Sequence, residues 1–204
     1  MHLGNLCCAL LAWLSVRSKN GEMVLRIEDL DPDRCKRAYA EQLCDDLLWL
    51  GLDWDEGPGK DKGHGPYYQS ERRSIFEEAL QYLREIDLVY PCFCTRAQLH
   101  AASAPHAGDT TFRYAGTCSN LTEAEILERS KTRSPAMRFR VQAGIVEFED
   151  MFLGRQQFDV QNMFGDFLIR RSDGVHAYQL AVTIDDALMG ITEVVRGSDL
   201  LTST

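Results

Sequence analysis

Apolar side chains recur with helical spacing in three stretches of the chain, and each stretch predicts a helix that buries one face. The stretches run over residues 5–21, 34–50 and 70–86. Asn5 and Ser70 stand where the first and third helices start, and their short polar side chains can cap free backbone N–H groups there. The predicted buried face of the first helix consists of Leu6, Ala9, Leu10, Trp13 and Leu14.

Short apolar or alternating runs in the rest of the chain predict strands. Thr122 and Glu125 form a capping-box pattern, which predicts a short helix that ends near Ser130. Residues 178–186 predict a further buried element. The predicted strands are 23–27, 89–94, 137–141, 145–148, 157–160, 167–170 and 191–197.

The order of these elements predicts an α/β fold in two parts. Residues 1–88 and 176–204 are expected to form a domain around a parallel sheet. Residues 89–175 are expected to form an inserted α+β subdomain that carries a cysteine cluster.

Composition and charge narrow the class of protein. The 204 residues are 45% hydrophobic and 26% charged, as in an ordinary soluble globular chain. No apolar run is long enough to span a membrane, and the start lacks a signal-peptide pattern. The formal net charge of −9 argues against nucleic-acid binding over the whole surface. A local set of basic residues is open to two interpretations, a solvated face or an RNA contact: Arg129, Lys131, Arg133, Arg138 and Arg140.

Cysteines provide the first candidate chemistry. An odd number of them, seven, without a secretion signal fits a reducing cytosol, so a cytoplasmic protein is expected. Cys92 and Cys94 lie on the same side of an extended strand, and Cys118 supplies a third thiol. A tetrahedral zinc site needs a fourth ligand, and a set of free thiols is the alternative. Ligand chemistry favours a histidine among the nearby candidates, which are His100, His106, Asp109 and Tyr114.

Groups suited to a phosphorylated ligand gather at the start of the first helix. A helix N-terminus offers free N–H groups and the positive end of its dipole to phosphates. Gly4 leaves room for a flat ligand, and His2 adds a donor. Glu28 begins an acidic turn after strand 23–27, at the sheet edge where α/β proteins bind ligands. Taken alone, these features also read as a surface histidine and a solvated acidic loop.

In this order, the stretches resemble motifs of one enzyme family. His2-Leu3-Gly4-Asn5 resembles the HIGH motif of class I aminoacyl-tRNA synthetases. Arg26-Ile27-Glu28-Asp29-Leu30-Asp31 resembles the RIED(T/L)D signature of their glutamyl subgroup, and Tyr68-Gln69-Ser70-Glu71-Arg72 resembles its YxQS-R pattern. The resemblance implies a Rossmann-type, parallel-sheet catalytic domain with an inserted zinc-binding subdomain.

The segment that ends at Cys118 narrows the subgroup. Arg113-Tyr114-Ala115-Gly116-Thr117-Cys118 resembles the (R)YxGxC segment of glutamyl-queuosine tRNA(Asp) synthetases, the short paralogues of glutamyl-tRNA synthetase. Zinc in that family is held by Cys, Cys, Tyr and Cys, which implies a structural zinc on Cys92, Cys94, Tyr114 and Cys118. Glutamyl-tRNA synthetases that bind zinc tend to end this site with Cys-x-His. Asn120 stands at that position here, which favours the short paralogue.

Two later segments resemble the family's amino-acid site. Residues 177–182 resemble AYQLAV, and residues 194–200 resemble VVRGxDL. The tyrosine and arginine of these motifs hold the amino acid, which implies that Tyr178 and Arg196 bind L-glutamate together with Glu28. The alternatives are an interior tyrosine with a satisfied hydroxyl, and an arginine paired with one of the next carboxylates, Asp185 or Asp186.

The resemblance implies that ATP and L-glutamate, with Mg²⁺ on the phosphates, form glutamyl-adenylate. Glutamate then passes to queuosine in the anticodon of tRNA(Asp). His2 and Asn5 are the implied catalytic residues, and both bind ATP together with Gly4. A monomer is expected. The alternatives are a catalytic-domain piece of a glutamyl-tRNA synthetase and a non-catalytic zinc-binding RNA-interaction module.

Two family segments have no counterpart in these residues. One is the strand with R-x-A-P-S-P-(S/T)-G before the HIGH-like motif, and the other is the lysine-bearing KMSKS-like loop. The chain is therefore expected to be an incomplete piece with little or no activity by itself.

Overall fold

The three predicted helices of the first part of the chain are all present. The computed structural model describes residues 3–95, 97–99 and 113–203. Helix α1 spans Leu3–Ser18, α2 spans Arg37–Trp49 and α3 spans Arg73–Glu85. Each helix starts at a different residue from the predicted one.

Helix α1 begins at Leu3, so Asn5 lies inside its first turn and the predicted N-cap is wrong. Its C-terminal end is closed by Asn20, which has a φ of 53°. The N–H groups of Asn20 and Gly21 donate to the carbonyls of Arg17 and Val16 at 3.2 and 2.9 Å. Asparagine tolerates this left-handed conformation, and the two bonds satisfy carbonyls that the helix leaves free.

The predicted buried face of α1 is only partly covered. Leu6, Ala9 and Trp13 pack against a buried cluster in the same part of the chain. Leu10 and Leu14 keep 42% and 49% of their surface exposed, so their predicted burial is wrong. Helical spacing alone does not distinguish a half-covered apolar stripe from a buried one.

Turns replace the predicted first turns of α2 and α3. The carbonyl of Asp31 accepts from the N–H groups of Arg34 and Cys35, which holds a turn before α2. A short 3-10 turn, Gln69–Glu71, precedes α3. Ser70 lies inside that turn, so it does not cap α3, and its N–H and hydroxyl donate to the carboxylate of Asp29 at 2.8 and 2.7 Å.

The expected parallel sheet is reduced to two isolated parallel bridges in the described part of the chain. Val24 bridges to Glu56, and Ile27 bridges to Tyr68. The pairing partner changes within a few residues, so neither pairing grows into a regular ladder. Residues 23–27 were predicted to form a regular strand, but they form only these isolated bridges. Residues 191–197 were also predicted as a strand and contain none.

The middle of the chain is β-rich, as its alternating pattern predicts. One sheet is antiparallel, with the strand order β1-β2-β5. Its strands are β1 (Val89–Cys92), β2 (Ala136–Phe139) and β5 (Phe167–Arg170). An antiparallel hairpin pairs β3 (Ile145–Asp150) with β4 (Gly154–Asp159).

Helices and a final turn complete the described elements. Helix α4, Glu123–Ser130, begins with the predicted capping box of Thr122 and Glu125. Helix α5 spans Val160–Met163, and α6 spans Tyr178–Leu188. A 3-10 turn follows over Ser198–Ser203. Every helix in the described ranges falls short of the length and apolarity that a membrane span requires.

The chain divides into two compact units, Met1–Glu77 with Tyr178–Thr204, and Glu78–Ala177. The sequence prediction placed the boundaries after residues 88 and 175. Each unit has its own buried clusters, in which each large apolar side chain contributes about 1.5–3 kcal/mol. The first unit buries Ile27, Ala40 and Tyr68 in one cluster and Leu47, Leu52 and Trp54 in another. The second unit buries Tyr90, Cys92, Tyr114 and Cys118.

Candidate functional sites

The three residues implied to bind glutamate come close together in the first unit. Glu28 follows the bridge at Ile27, Tyr178 begins α6, and Arg196 precedes the last 3-10 turn. The guanidinium carbon of Arg196 lies 5.8 Å from the ring centre of Tyr178. Both Arg196 and Tyr178 interact electrostatically with the Glu28 carboxyl. Segments distant in sequence thus place a carboxylate, a phenol and a guanidinium together.

These side chains are accessible as well as close. Glu28 keeps 38% of its side-chain surface, and Tyr178 keeps 37% of its surface, so the alternative of an interior tyrosine is wrong. Partial burial is the main cause that raises the pKa of Glu28, while Arg26 and Arg196 act against it. Partial burial and then the charge of Glu28 raise the pKa of Tyr178, so its hydroxyl stays a donor.

Arg26 forms an ion pair with Glu28 and is itself paired with a carboxylate of α6. Its Nη2 donates to Oε1 of Glu28 at 3.2 Å, and its Nη1 pairs with Oδ1 of Asp186 at 2.7 Å. Its Nε lies 3.7 Å from Oδ2 of Asp185. In the sequence, Arg26 stands out only as the first residue of a motif, with no signal of this role.

A buried ion pair lies next to this arginine. Nε of Arg72 donates to Oδ1 of Asp185 at 2.7 Å, and Nε2 of Gln69 donates to Oδ2 of Asp185 at 2.9 Å. Arg72 and Asp185 are almost completely buried. The nearest cationic partners of Asp185 and Asp186 are thus Arg72 and Arg26. An ion pair of Arg196 with either aspartate, the alternative interpretation, is not found among the described residues.

The implied ATP-binding residues are described only in part. His2 lies outside the described residues. Gly4 and Asn5 lie in the first turn of α1 and are exposed. That turn contains no acidic residue, so no negative side chain opposes an anion there. Their roles toward ATP stay predictions.

The cysteine cluster forms in the second unit with Tyr114 among the thiols. The hydroxyl of Tyr114 lies 3.5 Å from Sγ of Cys92 and 3.7 Å from Sγ of Cys94. The Sγ atoms of Cys94 and Cys118 are 3.6 Å apart, and the three thiol sulfurs lie within 4.8 Å of one another. The competing fourth ligands, His100, His106 and Asp109, lie outside the described residues.

These distances fit a tetrahedral metal. With bonds of ~2.3 Å to sulfur and ~2.0 Å to oxygen, zinc holds its sulfurs ~3.8 Å apart and an oxygen ~3.5 Å from each sulfur. Three of the six edges of such a site are observed at 3.5–3.7 Å and match these values, while the three sulfurs as a set lie within 4.8 Å of one another. Three thiols and a phenol are donors of the kind that zinc accepts, so the donor set fits this ion.

Arg138 lies against the cluster and contacts both a thiol and the phenol ring. Its Nε donates to Sγ of Cys92 at 3.3 Å, and its guanidinium carbon lies 3.6 Å from the ring centre of Tyr114. Burial opposes ionisation of Cys92, but hydrogen bonds from Tyr114, the backbone at Cys94 and Arg138 lower its pKa overall. Burial raises the pKa of Cys94 to about 11.

The predicted basic face is smaller than the sequence suggests. Arg138 is buried, and Arg140 donates to the carbonyl of Ser119 at 3.1 Å. Both were predicted as members of a solvated or RNA-binding face. They turn inward because the cysteine cluster and nearby carbonyls provide acceptors.

Comparisons with known proteins place this geometry in a family. Residues 1–204 match the family described as tRNA synthetases class I (E and Q), catalytic domain. The chain is 50% identical to a glutamyl-Q tRNA(Asp) synthetase of Nitratidesulfovibrio vulgaris, over 100% of this chain and 64% of that relative. It is 46% identical to a glutamate–tRNA ligase of Coxiella burnetii, over 100% of this chain and 44% of that relative.

A solved structure agrees with the sequence relatives. The glutamate tRNA ligase from Elizabethkingia meningosepticum, in complex with its amino acid, superposes with a TM-score of 0.84 at 30% identity. The match covers 100% of this chain and 42% of that one. The predicted resemblance is confirmed, and the fold is that of an α/β class I catalytic domain. The chain belongs to the class I tRNA synthetases of the E and Q group, a family of aminoacyl-tRNA ligases.

Proposed function

We propose that the protein activates L-glutamate with ATP and transfers it to queuosine in the anticodon of tRNA(Asp). The observation that carries this proposal is the proximity of Glu28, Tyr178 and Arg196, which match the groups of a free amino acid. Relatives named glutamyl-Q tRNA(Asp) synthetase, 50% and 49% identical over the whole chain, support the acceptor.

Each charged group of glutamate has a counterpart among these residues. The Glu28 carboxylate accepts hydrogen bonds from the substrate ammonium. Arg196 holds the side-chain carboxylate, because the α-carboxylate must stay free to react, and a guanidinium can bind it through two parallel bonds. The Tyr178 hydroxyl donates to the same carboxylate. This set favours glutamate over glutamine because a neutral amide would leave the arginine charge uncompensated.

The first chemical step is a displacement at phosphorus. An oxygen of the glutamate α-carboxylate attacks the α-phosphorus of ATP, and the bond to pyrophosphate breaks. His2 and the start of α1, with Gly4 and Asn5, stabilise the charge that develops on the α-phosphate. Mg²⁺ neutralises the phosphate charges when ATP is bound. The residues act by positioning and electrostatics, without a covalent enzyme intermediate.

The second step transfers the glutamyl group. A nucleophile of queuosine attacks the carbonyl carbon of glutamyl-adenylate, and AMP leaves. We assign Cys92, Cys94, Tyr114 and Cys118 as ligands of a structural zinc, since four protein ligands leave no position for substrate. That ion stabilises the second unit and takes no part in either chemical step.

A glutamyl-tRNA synthetase is the second candidate, because glutamate–tRNA ligases reach 46% identity over the whole chain. It differs in the acceptor, which is then the 3′ end of a tRNA. The segment Tyr114-x-x-x-Cys118, followed by Asn120 instead of histidine, favours the first candidate.

Glutamate-dependent exchange of labelled pyrophosphate into ATP tests the proposal. It is measured with and without tRNA, on the 204-residue chain and on the longest reading frame of its source gene that contains it. We expect exchange without tRNA. We also expect glutamate to be transferred only to tRNA(Asp) that carries queuosine. Exchange only with tRNA supports the second candidate. No exchange in any form contradicts both and leaves a zinc-binding RNA-interaction module.

A further inference from the structure

We propose that Arg26 is a positioning residue that holds the carboxylate of Glu28 in the orientation that receives the substrate ammonium. This inference rests on the proposed function, because it assumes that Glu28 binds the amino group of glutamate. Arg26 itself is not expected to touch the substrate.

Residues of α6 and the residue that follows it hold the Arg26 side chain in place. Its side chain is only 11% exposed, and two consecutive carboxylates of α6, Asp185 and Asp186, face it at 3.7 and 2.7 Å. Nη1 also lies 3.8 Å from the sulfur of Met189. The remaining nitrogen, Nη2, reaches Oε1 of Glu28 at 3.2 Å. The short contact of Nη1 with Asp186 anchors the planar guanidinium, while Nε faces Asp185 without a hydrogen bond, and Nη2 is left to bond to Glu28.

The pairing leaves Glu28 suited to bind a cation. A glutamate with 38% of its side-chain surface exposed can adopt several rotamers, and fixing it lowers the entropy lost when substrate binds. Arg26 bonds to Oε1, whereas Oε2 takes part in no hydrogen bond within the described part of the chain. We assign that second oxygen to the substrate ammonium.

Glu28 lies near two arginines, and only Arg26 is free of a role toward the substrate. Arg26, Arg196, Asp186 and the hydroxyl of Tyr178 are the charged and titratable groups that act on it. Arg196 is assigned to the substrate carboxylate, so its charge is neutralised in the complex. Arg26 is anchored to protein carboxylates and keeps its charge beside Glu28 whether or not substrate is present.

Loss of Arg26 has a signature that a purely structural role lacks. Arg26 acts against the burial that raises the pKa of Glu28. Its removal raises that pKa further, and only the ionised carboxylate accepts from ammonium. KM for glutamate is expected to rise at acidic pH as Glu28 becomes protonated. This rise, the acidic limb of a plot of KM against pH, therefore moves to higher pH.

The test compares Arg26→Met and Arg26→Lys with Glu28→Gln and with the control Arg17→Met in pyrophosphate exchange. Arg17 also bonds to two carboxylates, those of Asp55 and Asp53, but it lies elsewhere in the first unit. Arg26→Met should raise KM for glutamate by about 10- to 100-fold, the loss of one charge-assisted hydrogen bond, and move the acidic limb upward. KM for ATP should not change. Arg26→Lys should recover part of the loss, and Arg17→Met should show neither effect.

Equal changes in both KM values with an unmoved acidic limb would overturn the inference. If Arg26→Met does not fold, Asp186→Asn removes the anchor of Arg26 while keeping its charge. That variant should raise KM for glutamate without an upward shift of the limb, because Asp186 itself raises the pKa of Glu28. An unchanged KM in Asp186→Asn overturns the inference.

Glu28→Gln separates this inference from the proposed function. If that substitution does not affect glutamate use, the proposed function fails. If it does, and Arg26→Met behaves like wild type, only the positioning role of Arg26 fails.

Discussion

Glu28 carries a carboxylate whose ionised form the fold disfavours. The pKa of this group is raised mainly because the surrounding protein displaces water, even though two arginines act in the opposite direction. Perturbed groups of this kind concentrate at functional sites, where charge is kept for a ligand at the expense of stability. The raised pKa of Glu28 therefore marks it as a candidate ligand-binding residue and not only as a packed side chain.

Replacing Glu28 by Gln should stabilise the chain at neutral pH while removing glutamate binding. Because the carboxyl pKa is higher in the folded state than in the unfolded state, its effect on stability becomes less favourable as pH rises through the two values. The neutral amide does not lose this stability. Thermal unfolding of both proteins across the acidic and neutral range should show Tm values that converge at low pH. A lower Tm for Glu28→Gln at neutral pH would contradict this.

Tyr114 adds a phenol oxygen to the three thiols of the cysteine cluster. Tyr114→Phe should weaken zinc binding, because it removes the phenol oxygen that lies 3.5 and 3.7 Å from two of the sulfurs. Competition with a chromophoric chelator measures the affinity. Tyr90→Phe is the matched control, since Tyr90 belongs to the same buried cluster but its hydroxyl bonds to Asp166. Equal zinc affinities in both variants would exclude Tyr114 as a ligand.

Elements whose signals are local were predicted well from the sequence, and those that depend on distant partners were not. The capping box at Thr122 is correct because both of its bonds lie within four residues. The cap at Ser70 is wrong because Ser70 lies in a 3-10 turn before α3, where it donates to the distant carboxylate of Asp29. The strand over 23–27 is irregular because its partners change along its length.

The candidate sites show the same division. Spacing pointed to Glu28 and to the three cysteines, and resemblance to the family added Tyr114, Tyr178 and Arg196. The structure brings these residues together in two groups. Arg26 and Arg138 were missed as supporting residues, because an arginine in a sequence does not reveal which carboxylate or thiolate it will face.

Helix α4 offers the clearest test at the scale of an element. Thr122→Ala should destabilise the second unit by about 1 kcal/mol, because it leaves the N–H of Glu125 without its side-chain acceptor. Chemical denaturation measures the loss, and amide exchange should increase in α4. Thr122→Ser keeps the hydroxyl and should retain most of the stability. A loss of equal size in both variants would show that the hydrogen bonds of the cap are not responsible.

At the scale of the whole molecule, the two units have separate cores and different means of stabilisation. The first relies on apolar clusters and the buried Arg72–Asp185 pair. The second places a cysteine cluster in its core and is the unit that we propose binds zinc. All three tryptophans, Trp13, Trp49 and Trp54, lie in the first unit, so their fluorescence reports on that unit alone.

Removal of zinc by a chelator should therefore affect the units unequally. Metal bound only by the folded state stabilises it, so chelation should increase amide exchange across 78–177 and lower the unfolding temperature of that unit. The unfolding transition followed by tryptophan fluorescence should move less. Restored zinc should reverse the change. Equal shifts in both signals would show that the ion stabilises the whole chain as one cooperative unit.

The buried pair of Arg72 and Asp185 also limits how this sequence can change over generations. Loss of either partner alone leaves an uncompensated buried charge and costs about 3–5 kcal/mol, a large part of the ~5–15 kcal/mol that keeps a typical domain folded. Joint replacement by apolar residues avoids the unpaired charge, although it also removes the acceptor of the buried Gln69 amide. A lineage can reach a joint replacement only through an intermediate that has lost much of its stability, so descendants should keep both residues or have changed both.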